Sequence, residues 1–85
     1  MISKQYSDIV SACQRHIEEN KIHFNSMKNL LDDEEKREYH QQIEQRKNKM
    51  VEWETRLNQY KSHDTESNLA ELTKLLSELI NDKLR

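Results

Sequence analysis

Three stretches of the chain place apolar residues three or four positions apart, which is the spacing of one face of an α-helix. The first stripe holds one helix face over about eight turns and predicts a helix from about residue 3 to about residue 31. Its members are Ile2, Tyr6, Ile9, Cys13, Ile17, Asn20, Phe24, Met27 and Leu31. One member is polar, because Asn20 stands where the pattern calls for an apolar residue.

The second and third stripes predict two further helices. The second has the alternating steps of a heptad seam and predicts a helix from about 33 to about 62. It consists of Tyr39, Ile43, Arg46, Met50, Trp53, Leu57 and Tyr60. The third predicts a helix from about 66 to about 84, and it consists of Leu69, Leu72, Leu76 and Leu79, widened by Leu75, Ile80 and Leu84. Such a broad apolar face indicates contact with two neighbouring helices.

The connections between the predicted helices are short and polar, although the 85 residues include no Gly and no Pro. Asp32 with Glu35 three residues later has the form of a capping box, and Thr65 or Ser67 is a candidate cap for the third helix. Short connections join antiparallel neighbours. The predicted fold class is therefore all-α, with residues 1–85 as one domain. A long, coiled-coil-like antiparallel hairpin carries a shorter third helix on one half and forms a three-helix bundle.

A register for the hairpin follows from pairing seam residues across the first connection. With paired residue numbers adding to a constant, Ile17 faces Met50 and Asn20 faces Arg46. A polar layer in an apolar seam weakens the interface but fixes its register, so we expect Asn20 and Arg46 to set the register. The alternative is that Arg46 extends to water and Asn20 is half exposed. The same construction places Lys83 of the third helix beside Arg46.

The third helix is too short to cover the whole hairpin, so one end is predicted to expose an apolar groove. Exposed apolar patches on small proteins usually mark interfaces, and a two-helix groove accepts a partner helix or a second copy. Alternatively, Phe24 and Ile43 simply pack together and the end frays. The candidate partner-binding residues are Ile22, Phe24, Met27, Leu30, Leu31, Tyr39 and Ile43. Leu75 and Leu84 form a second candidate surface.

Charge and cysteine content narrow the possible partners. The 14 basic and 16 acidic residues give a net charge of −2, and basic residues of the second helix alternate with glutamates, so nucleic-acid binding is not favoured. Cys13 has no partner for an internal disulfide, which fits a reducing compartment. No apolar run is long enough to span a membrane, and no signal-peptide core is visible. These features predict a cytoplasmic protein.

No residue set with the spacing of a metal or catalytic site emerges. Cys13 and His16 are three apart, and Glu19 and His23 are four apart, but neither pair gains the further ligands that zinc needs. No nucleophile has a defensible base partner. A slender helical chain is also expected to lack a ligand-sized cleft. We therefore expect no metal, no cofactor, no small-molecule substrate and no enzymatic activity.

The sequence thus favours a non-enzymatic protein–protein interaction module, such as an adaptor, an assembly subunit or a small inhibitor. The groove is expected to bind another protein, or a second copy of this chain in a dimer. One alternative is a small cytoplasmic chaperone of the export type that shields a partner helix. A second is a nucleic-acid-associated regulator. The polar connection before the third helix also permits that helix to swing out and be swapped between copies.

Overall fold

A computed structural model describes residues 3–82, which contain four α-helices and no β-strand. They are α1 (Lys4–Asn29), α2 (Asp33–Glu38), α3 (His40–Tyr60) and α4 (Glu66–Asn81). Helix α1 packs against both α3 and α4, and α3 packs against α4. The all-helical prediction is therefore confirmed, within an elongated shape of 51 × 18 × 17 Å.

Polar side chains start three of the helices at the positions that the sequence indicated. The Ser3 hydroxyl accepts a hydrogen bond from the Tyr6 amide, and the Thr65 hydroxyl accepts one from the Asn68 amide. Asp32 and Glu35 form the predicted capping box, with reciprocal bonds of 2.8 and 3.0 Å. Each bond satisfies an amide that the first helical turn leaves without a backbone partner.

The predicted second helix is interrupted. Tyr39 has φ −97° and ψ 16°, outside the α-helical region, so α2 ends at Glu38 and α3 begins at His40. Helix α2 therefore forms a separate short helix at the connection between α1 and α3. It contributes no buried residue.

One core lies between α1, α3 and α4. The Tyr6 hydroxyl donates to the Tyr60 carbonyl oxygen, which joins the start of α1 to the end of α3. The Cys13 thiol donates to the Leu72 carbonyl oxygen at 3.7 Å, which joins α1 to α4. The buried side chains are Tyr6, Cys13, Ile17, Phe24, Met50, Trp53, Leu57, Leu72, Leu75 and Leu79.

The contacts between the two long helices agree with the expected register only in part. Lys21 forms an ion pair with Glu54. Ile17 shares a small cleft with Leu57, which lies two helical turns beyond the Met50 expected opposite it. Phe24 and Ile43, in contrast, line one groove, as the expected register allows.

Asn20 and Arg46, expected to face each other, form hydrogen bonds with other partners. The Asn20 amide donates to the His16 carbonyl oxygen of its own helix at 2.9 Å. The Arg46 guanidinium donates two hydrogen bonds to the Asp82 carboxylate, of 3.0 and 3.3 Å. Asp82 directly precedes Lys83, the residue expected beside Arg46, so the contact with the third helix lies within one residue of the predicted one. Lys83 itself lies outside the described residues.

The second candidate surface must be corrected. Leu75 is fully buried and belongs to the core, because α4 packs against both α1 and α3 and directs this side of its apolar face toward them. Leu84 lies outside the described residues.

Within 3–82, no helix has both the length and the apolar character needed to cross a bilayer.

Burial changes the acidity of Cys13. Desolvation raises the pKa of its thiol from 9.0 to about 11, although the nearby Arg56 guanidinium opposes the shift. Burial disfavours the charged thiolate, and an adjacent positive charge favours it. Cys13 is therefore an unreactive core residue at neutral pH.

This shift predicts a loss of stability at high pH that depends on Cys13. The unfolded thiol releases its proton near pH 9, whereas the folded thiol keeps it until about pH 11. Between these values the unfolded state binds fewer protons, so the free energy of unfolding falls as pH rises. Urea unfolding of the wild type and of Cys13→Ala across this range measures the difference. The wild type should lose more stability than the variant, and parallel pH profiles would refute the assignment.

Candidate functional site

A groove of about 650 Å³ lies between the C-terminal part of α1 and the N-terminal part of α3. Its apolar side chains come from both helices, from the connection between α1 and α2, and from the residue that separates α2 from α3. They are Phe24, Met27, Leu31, Tyr39 and Ile43. Phe24 is 8% exposed and Tyr39 is 44% exposed, while the other three are partly buried. The groove therefore has a fixed, buried floor and an accessible edge.

Polar and basic side chains complete the lining of the groove. The Lys28 ammonium lies 5.5 Å from the centre of the Phe24 ring, and the Lys49 ammonium lies 5.9 Å from the centre of the Trp53 ring. Two further lining residues, Gln42 and Gln45, are exposed on α3. These side chains offer hydrogen-bond donors and positive charge around an apolar floor.

The Arg46–Asp82 pair closes the groove on the side of α4. Its two hydrogen bonds have the bidentate arrangement that suits a guanidinium and a carboxylate. Both side chains are partly buried, at 20% and 25% exposure. The Arg46 guanidinium also lies 5.9 Å from the centre of the Trp53 ring. The pair thus fixes the end of α4 at the point where the groove begins.

Five of the seven sequence-predicted partner-binding residues line this groove together. The other two, Ile22 and Leu30, are 59% and 83% exposed, and they do not line it. Sequence reasoning missed the polar lining residues, which are Lys28, Gln42, Gln45, Lys49 and Asp82. Lys28 could have been found because it follows Phe24 by four residues, which places both on one helix face.

A groove of this size was not expected, because the sequence predicted no cleft large enough for a ligand. Its volume falls within the range of small-molecule pockets, so the argument from slenderness was wrong. It is nevertheless open to solvent along one side. Its lining residues, as far as the structure describes them, include no Ser, Cys or His that could act as a nucleophile or a proton shuttle. Its chemistry therefore suits binding by apolar contact and charge.

A search of residues 3–82 for three or more metal-ligating side chains close together finds none. No family model matches the chain, and neither a curated protein nor a solved structure shows significant similarity to it.

Proposed function

We propose that this chain is a non-enzymatic interaction module, a helical hairpin covered on one half by α4 and open at the other. The open half binds a helix of another protein. The observation that carries this proposal is the apolar groove of about 650 Å³ at the uncovered end. Apolar area of this kind usually marks an interface in a small protein.

The position of α4 supports the helical nature of the partner. The α1 and α3 faces that hold α4 contribute Cys13, Ile17, Trp53 and Leu57 to the shared core. The same faces continue beyond α4, where they form the floor of the groove. A partner helix laid in the groove would occupy the place that α4 occupies on the other half. This is recognition of an amphipathic helix by a hydrophobic groove.

The length of the groove sets the size of the partner. Helices α1 and α4 begin at the same end of the molecule, because the Ser3 amide donates to the Asp64 carboxylate at 2.8 Å. Helix α1 has 26 residues and α4 has 16. At 1.5 Å per residue, about 15 Å of α1 extends past α4. A partner segment of about ten helical residues would cover it.

Site-specific photocrosslinking in cells that naturally make the protein tests the proposal. A benzophenone amino acid at position 45, which replaces a groove-lining glutamine, should form discrete adducts with another protein. The same amino acid at position 59 is the control, since Gln59 is exposed on the same helix but does not line the groove. Adducts that are absent at position 45, or identical at both positions, would contradict the proposal.

A charge placed in the groove should remove the adducts. Ile43→Glu puts a carboxylate on the apolar floor, and its desolvation on binding opposes association. Ile22→Glu is the matched control, because it makes the same change at an exposed position outside the groove. Circular dichroism establishes that both variants are folded. Adducts should disappear with Ile43→Glu and persist with Ile22→Glu.

A further inference from the structure

The charged residues that line the groove leave a positive surplus. They are Lys28, Arg46, Lys49 and Asp82. Arg46 and Asp82 neutralise each other through their two hydrogen bonds. Among the residues that the structure describes, neither lysine forms an ion pair, and each instead lies over an aromatic ring. The lining of the groove thus contributes two lysines beyond its one ion pair, on a chain whose net charge is −2.

We infer that the occupant of the groove is an amphipathic helix with acidic residues beside its apolar stripe. The inference rests on the proposed function and specifies the chemistry of the partner. The apolar stripe contacts the floor between Phe24 and Ile43. The flanking carboxylates meet Lys28 on the α1 side and Lys49 on the α3 side. Complementary charges of this kind select partners and orient them on approach.

Two other occupants fit these observations less well. A nucleic acid would use the lysines but would leave the apolar floor of the groove without a complementary surface. A second copy would have to bring its own basic groove close to that of the first copy across a two-fold axis, since such an interface uses the same patch twice. Like charges would then oppose each other. An acidic amphipathic helix complements both the apolar floor and the basic edges of the groove.

Binding of synthetic peptides to the purified chain, measured by fluorescence anisotropy, tests the inference. Two labelled peptides share one leucine stripe of helical spacing and differ only in flanking residues, which are glutamate in one and lysine in the other. The glutamate peptide should bind at least about tenfold more tightly at low salt, and the difference should shrink as salt screens it. Equal affinities for the two peptides would overturn the inference.

Charge-removing variants locate the effect. Lys28→Gln combined with Lys49→Gln should weaken the binding of the glutamate peptide and reduce the salt dependence of that binding. Lys47→Gln combined with Lys74→Gln removes the same charge from exposed positions outside the groove and should change neither. If both pairs act alike, net charge rather than the groove governs binding, and the inference is wrong.

The outcomes also separate this inference from the proposed function. Groove-specific crosslinks to another protein, together with equal affinity for the two peptides, would support the proposed interaction module. The same result would show that the groove does not prefer acidic helices. Failure of both peptides, with a dimer that Ile43→Glu dissociates in sedimentation equilibrium, would show that a second copy occupies the groove. Tight binding of a single-stranded oligonucleotide that displaces the glutamate peptide would equally overturn the inference.

Discussion

Replacing Trp53 with alanine is expected to destabilise the folded chain by about 3–5 kcal/mol, the usual cost of removing a large buried aromatic side chain. Trp53 is completely buried in the core shared by α1, α3 and α4. It also lies under the Arg46 and Lys49 side chains at the edge of the groove. A chain of this size has a total stability of about 4–13 kcal/mol, so the loss is a large fraction of the total. Urea titration followed by circular dichroism measures the loss.

Two further variants make the Trp53 prediction specific. Val51→Ala, an exposed position on the same helix, should change stability by less than about 0.5 kcal/mol. Trp53→Phe keeps an aromatic ring and should cost less than alanine. It also removes an indole N–H that no group within residues 3–82 accepts. A loss of less than about 1 kcal/mol in Trp53→Ala would show that this residue does not anchor the core.

Replacing Leu75 with alanine is expected to cost about 2–5 kcal/mol, because the change opens a cavity in a packed core. Leu75 is completely buried and lies in the core with residues of α1 and α3. An exposed leucine would lose almost nothing on truncation. Thermal or urea unfolding of Leu75→Ala therefore decides between the core position that the structure gives and the surface position that the sequence suggested.

Ile80→Ala is the control for Leu75→Ala. Ile80 is 52% exposed on the same helix, so its truncation should cost well under 1 kcal/mol by comparison. Similar losses of stability for the two variants would mean that Leu75 is no more buried than Ile80 where α4 packs against α1 and α3. A large loss at Ile80 alone would indicate that α4 is rotated about its axis.

The periodicity of apolar residues identified most of the helical structure. Helix α1 lies at Lys4–Asn29, where the first stripe predicted residues 3–31. The capping residues Asp32 and Thr65 also begin helices where the sequence indicated. These features are local, because spacing and caps act over one or two turns.

The break at Tyr39 and the resulting register could not be read in the same way. No Gly or Pro marks the break, and the sequence around Tyr39 is compatible with a continuous helix. The expected register is met only in part, and Asn20 and Arg46 form hydrogen bonds with partners other than each other. A pairing across a connection depends on the geometry of that connection, which periodicity does not contain.

The groove was partly predictable. Five apolar residues of the uncovered end were identified because the third stripe is shorter than the first two. Its basic edges were missed, since Lys28 and Lys49 lie beside the seam on two different helices. Their combination appears only when α1 and α3 are packed together.

Chemical-shift mapping by NMR shows whether the uncovered end of α1 and α3 binds an acidic amphipathic helix. The wild-type chain, labelled with ¹⁵N, is titrated with the glutamate-flanked peptide. Binding in the groove should produce saturable shifts in the amides of residues 24–31 and 39–49, with little change in the first turns of α1 and α4. Shifts spread over the whole surface, shifts confined to the half that α4 covers, or the absence of any shift would show that the groove does not bind such a helix.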